Sequence, residues 1–131
     1  MRQRVIAGTF LIGLLGLVSF SQERRPLPCG ENGTQADANA CARQDYEKAD
    51  AEMNKAYRAL MGELATYEGK DQQKLRHAQT LWLKYRDATC ESESSIYLGG
   101  SIRPAVHSSC LASVTRERTR RLTEFLPETR Q

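Results

Sequence analysis

Four kinds of signature are missing from this 131-residue sequence: a nucleophile elbow, a phosphate-cradling Walker loop, a dinucleotide fingerprint and a metal-ligand motif. The two histidines, His77 and His107, are isolated, and the four cysteines lie too far apart for the close pairs that zinc sites use. No catalytic set and no cofactor are therefore read from these residues, and the chain is expected not to be an enzyme. Strand-like alternation is absent over any useful length, as are internal repeats and low-complexity tracts. That leaves an all-α reading.

Acidic residues are also missing from the N-terminus, where none precedes Glu23. Arg2 and Arg4 are followed by an apolar stretch from Val5 to Phe20, and Ser19-Phe20-Ser21 places small residues at the −3 and −1 positions of a cleavage site. Residues 1–21 are read as a signal peptide, too short in its apolar core for a membrane span of about 20 residues. The product is expected to be exported, periplasmic or secreted, without stable membrane insertion after cleavage. The leader takes two of the 19 basic residues and none of the 16 acidic ones, so 17 face 16 in the remainder. A net charge of about +1 is no electrostatic footprint for nucleic acid.

What is present is helical periodicity and an even number of cysteines. Residues 22–36 hold Pro26, Pro28 and the Asn32-Gly33 pair and read as an extended arm. Asn32-Gly33-Thr34 also fits a glycosylation pattern, but a turn explains it. The helical domain is placed at 37–131. From Asp37 to Tyr67, the residues Ala42, Tyr46, Ala49, Met53, Tyr57, Leu60, Leu64 and Tyr67 recur at steps of three and four. Gly69 breaks this pattern, Asp71 is positioned to cap a second helix, and Leu75, Ala78, Trp82, Tyr85 and Thr89 form its stripe. Trp82 and Tyr85 are read as core. After the connector Ser94–Ser101, a third helix capped near Ser101 carries Val106, Cys110, Leu111, Val114, Leu122 and Phe125, and Pro127 is expected to end it. Narrow stripes and short connections predict an antiparallel three-helix bundle with an N-terminal arm, stapled by disulfides.

The bundle selects the cysteine pairing. Cys90 and Cys110 lie ten residues either side of Gly100 and face one another across the second hairpin. Around Gly69, Cys41 lies 28 residues before and Cys90 only 21 after, an axial mismatch of about 10 Å. A disulfide does not span that. Cys29 is left for Cys41. Within the bundle, Arg118 falls on the inner stripe of the third helix, Asp50 flanks that of the first, and Arg86 lies near the seam of the second. A buried charge needs a partner, so Asp50, Arg86 and Arg118 are expected to form a structural polar layer, with Asp50 paired to Arg118 or Arg86.

Several ordered blocks then match a known pattern: Asp45-Tyr46 to Ala49-Asp50, Met53-Asn54, Tyr57 to Met61, Ala78 to Trp82, Tyr85-Arg86-Asp87-Ala88 with Cys90, and Gly99 to Ile102 with Cys110-Leu111. In these the chain resembles the LprI-like lysozyme-inhibitor family. The resemblance implies an exported bacterial helical domain, without implying a catalytic set. It implies lysozyme as partner, with another cell-envelope protein as the alternative. Lysozyme cleaves with paired carboxylates in a cleft, which a protruding connector enters more readily than a broad helix face. Tyr97, Ser101 and Arg103 of the second connector are therefore the expected contact residues.

Overall fold

The computed structural model describes residues 29–128 apart from Glu31 and Glu68, with side chains through Phe125. The signal-peptide reading, 1–21, and most of the expected arm lie outside the described residues. Three helices, α1 (Gln35–Leu64), α2 (Asp71–Ser95) and α3 (Arg103–Glu128), make up the described fold, with no strand among the described residues. At about 1.5 Å per residue the 30 residues of α1 run about 45 Å, so this helix needs packing partners along its length.

The start of α1 is fixed by a reciprocal cap. The Thr34 hydroxyl accepts from the Asp37 N–H, and the Asp37 carboxylate accepts from the Thr34 N–H at 2.8 Å. This cap starts the helix at Gln35, two residues before the expected Asp37, and so takes the last two residues assigned to the arm. Cys29 is bonded to Cys41, tying the segment before the cap to the second turn of α1. The helix ends at Leu64 rather than Tyr67, and Gly69 takes a left-handed φ of 131° before α2 begins. Asp71 is the first residue of α2 rather than its cap: Lys70 holds that position without a side-chain hydrogen bond. The third helix begins at Arg103, which leaves its cap position next to Ser101 as expected, but Pro127 lies inside the last turn rather than ending the helix.

The chain runs up, down and up, which makes α1 and α3 parallel. Their packing is the closest in the molecule, and α1 barely approaches α2. Small buried residues explain the first fact: Ala49 and Ala56 on α1, and Ala112 and Thr115 on α3, present little bulk and let the two backbones come near. The apolar core is Met53, Ala56, Leu60, Leu64 and Leu122, with Tyr57, Leu75 and Trp82 packed against it. A second cluster gathers Cys90, Cys110 and Leu111 with Tyr46 and Val114.

The stripe expected on α2 is rotated. Gln79, Arg86, Cys90 and Ser94 are its buried residues, whereas Ala78 and Tyr85 are exposed. Trp82 is half-buried, so only one member of the expected aromatic pair packs inward. Polar residues can take the inner face here because each has partners. Phe125 and Tyr67, also expected inside, lie about half exposed.

Candidate functional site

The connector between α2 and α3 is short, and most of its backbone is hydrogen-bonded. The N–H groups of Tyr97, Leu98, Gly100 and Arg103 donate to the carbonyls of Ser94, Ser95, Tyr97 and Gly100 at 2.9–3.2 Å. Gly99 takes a positive φ of 81°, a region side chains with a Cβ avoid. A Cβ on Gly100 would stand 3.1 Å from the Tyr97 carbonyl oxygen. The two glycines thus answer different requirements, one of conformation and one of space.

The foot of the connector is pinned from three sides. Cys90 and Cys110 are disulfide-bonded, with their Cα atoms 5.5 Å apart. The Arg103 guanidinium donates to Glu91, whose other oxygen lies 4.0 Å from His107 Nε2. Asn39, on the first turns of α1, donates to the Ser101 carbonyl at 3.0 Å. Ser94 is fully buried and donates to the Glu91 carbonyl at 3.2 Å.

The tip carries apolar side chains in water. Ile96 and Leu98 are 80% and 78% exposed, and Tyr97 and Ile102 about two-fifths. Of the residues expected to contact a partner, Tyr97 lies at this tip, Ser101 is engaged through its carbonyl, and Arg103 is folded back onto Glu91. Ile96 and Leu98 project furthest into solvent. The sequence carries a signal for them: two large aliphatic residues in an otherwise polar connector next to glycine.

Below the connector lies the charged layer. Arg86 is buried, with its guanidinium 3.4 Å from Asp50 and 2.8 Å from Asp87. It also lies over the rings of Tyr46 and Trp82 at 5.5 and 5.3 Å, so two aromatic rings pack against the cation. Burial raises the Tyr46 phenol above its ordinary value, against the pull of Arg86. Arg118 does not reach Asp50. Its Nε donates to Gln79 Oε1 at 3.0 Å, while Gln79 Nε2 donates to Met53 Sδ at 3.1 Å, linking all three helices through one amide. Desolvation pulls the Arg118 guanidinium below its ordinary value.

The described residues contain no group of three or more histidines, cysteines or carboxylates that could hold a metal ion. Both disulfides are closed, and no free cysteine is present. No described helix is long and apolar enough to cross a membrane. Two stiffened features remain on which recognition could rest: a pinned apolar tip and a cation-bearing layer beneath it.

Comparison with known proteins bears on which matters. Residues 29–122 match the family described as lysozyme inhibitor LprI. An uncharacterized protein of Rhizobium meliloti (strain 1021) is 38% identical over 125 residues, covering 86% of this chain and 89% of the relative. No solved structure matches the chain. The family match begins at the first cysteine of the arm and takes in both disulfides and the whole connector.

Proposed function

From the premise that this chain belongs to the LprI lysozyme-inhibitor family, we propose that it is an exported inhibitor that binds lysozyme through the Ser94–Arg103 connector and so protects peptidoglycan. The observation that carries this reading is the combination of an exposed apolar tip, Ile96-Tyr97-Leu98, with a foot fixed by the Cys90–Cys110 bond, the Arg103–Glu91 pair and Asn39. A lysozyme cleft holds sugar rings between walls and carries two carboxylates. An inhibitor must fill that cleft without unfolding itself to do so.

A pre-fixed connector meets this requirement because ordering a flexible loop on binding costs affinity. Tyr97 supplies rigid amphipathic area with few rotatable bonds. Ile96 and Leu98 are already desolvation-ready, since leaving water is favourable for them by about 1.5–3 kcal/mol each when fully buried. In this reading Ser101 and Arg103 hold the tip in place. Two disulfides match an oxidising compartment, and the proposed leader in residues 1–21 would deliver the chain there. The family is one of inhibitors rather than of enzymes. A near-neutral charge gives little electrostatic steering toward cationic lysozymes, which favours the second partner class, another protein of the cell envelope, should inhibition fail.

The test is lysis of peptidoglycan-rich cells by lysozymes of several classes, with wild type, Tyr97→Ala and Leu98→Asp. Wild type is expected to slow lysis by at least one class. Each variant should lose roughly tenfold in potency or more, the shift that about 1.4 kcal/mol produces, while melting like wild type. Equal inhibition by all three proteins would remove the connector as the site. Lysis unaffected by wild type in every class would remove lysozyme as the partner.

A further inference from the structure

At the end of the bundle opposite the connector, the three helices part. Between them runs an open groove of about 750 Å³ walled by Leu60, Leu64, Tyr67, Leu75, Leu122 and Phe125. That volume lies within the range of about 300–1,000 Å³ typical of small-molecule sites. Its apolar walls are part core and part surface: Leu60 and Leu122 are almost fully buried, whereas Tyr67 and Phe125 stand half exposed at the mouth.

Charge in this groove is unevenly balanced. Lys74 is paired with Asp71 at 2.8 Å, Arg121 with Glu117 at 3.1 Å, and Glu124 with Arg120 at 2.5 Å. Arg118, which also lines the groove, makes no ion pair among the described residues. Its Nε is used by Gln79 and its ring-facing side by Trp82 at 5.7 Å, but Nη2 is buried with no hydrogen-bond partner among the described residues. A buried donor of a charged group without an acceptor is uncommon and costly.

From this juxtaposition we infer that the groove binds an aliphatic carboxylate, its head on Arg118 and its alkyl chain along the wall toward Phe125. One unbalanced cation matches one negative charge, so a singly charged carboxylate suits the site better than a doubly charged phosphate. Arg118 and Phe125 are seven residues apart on α3, about 10 Å along the axis. That is room for a medium-length alkyl chain. The site is independent of the proposed lysozyme contact, which lies at the other end of α2 and α3.

The probe is laurate, titrated below its micelle concentration into the oxidised protein and followed by fluorescence of Trp82, the chain's one tryptophan. Dodecyltrimethylammonium and dodecyl maltoside carry the same chain with a cationic or neutral head. Laurate should bind saturably and at least tenfold more tightly than either. Arg118→Gln should abolish that preference. Ala78→Phe, at an exposed position on the groove wall, should block all three ligands without lowering the melting temperature. Equal affinity for the three heads would overturn the carboxylate assignment. Absence of saturable binding would overturn the site, as would a dimer in sedimentation that Ala78→Phe disrupts and laurate does not.

Discussion

The two ends of this bundle are built from the same three helices and held together by different means. At the connector end, Cys90–Cys110, Cys29–Cys41, the Arg103–Glu91 pair and the Asn39–Ser101 bond fix the backbone, and little large apolar surface is buried there. At the far end, Leu60, Leu64 and Leu122 do the holding, without any covalent link among the described residues. The difference teaches where rigidity comes from in a small domain. A staple fixes an end whose tip is exposed, whereas an apolar end coheres only where its side chains are covered. Where coverage stops, at Tyr67 and Phe125, a groove opens.

The largest expected effect breaks the apolar end. Leu60 is almost fully buried in the core cluster, so Leu60→Ala should cost about 3–5 kcal/mol in chemical denaturation. A loss under about 1 kcal/mol would show that this end contributes little to stability. Next comes the staple. Replacing Cys90 and Cys110 together by serine opens a loop of 20 residues and should cost about 3 kcal/mol in the chain-entropy model. Helix content by circular dichroism should largely survive, because the far core is untouched. If instead the helical signal collapses, the two ends are not separately held.

A smaller effect sharpens the comparison at the start of α1. Thr34→Ala removes the reciprocal cap and should cost about 1 kcal/mol. The smallest is its pH dependence. Hydrogen bonds from the Thr34 side chain and backbone hold the Asp37 carboxyl below its ordinary value of 3.8. Its contribution is therefore fully present above that value and is lost as pH falls through the lower, folded-state value. The melting-temperature gap between wild type and Asp37→Asn should close on acidification through that window. A gap that widens would contradict the sign.

The same division shows in what the sequence disclosed. The stripe of α1 was legible because its large members, Met53, Leu60 and Leu64, do face the core, and the cysteine spacing was legible because a hairpin leaves one workable pairing. The face of α2 was misjudged by about one residue. Hydrophobic periodicity favours Ala78 and Tyr85, whereas Gln79 and Arg86 are buried because Met53, Arg118, Asp50 and two aromatic rings satisfy them. The sequence placed Arg86 beside the seam with Asp50 as a possible partner, but the contacts from α1 and α3 that draw Gln79 and Arg86 fully inside are not contained in the pattern of α2 alone. Ala112 and Thr115 were missed for the opposite reason: small residues carry little hydrophobic signal, yet close parallel packing of α1 and α3 requires them. Tyr67 and Phe125 were read as core because their spacing is right, yet they stand at the open mouth of the groove and stay about half exposed. At the connector, Tyr97 stood out, but the pairing of Arg103 with Glu91 depends on two helix ends meeting across the hairpin.

Recognition of lysozyme by the stapled end is open to test by amide hydrogen exchange with and without a lysozyme that the protein inhibits. The account predicts added protection concentrated at residues 94–103, with the 64–75 and 118–125 segments exchanging as they do in the free protein. Protection confined to those latter segments, with 94–103 unchanged, would contradict it.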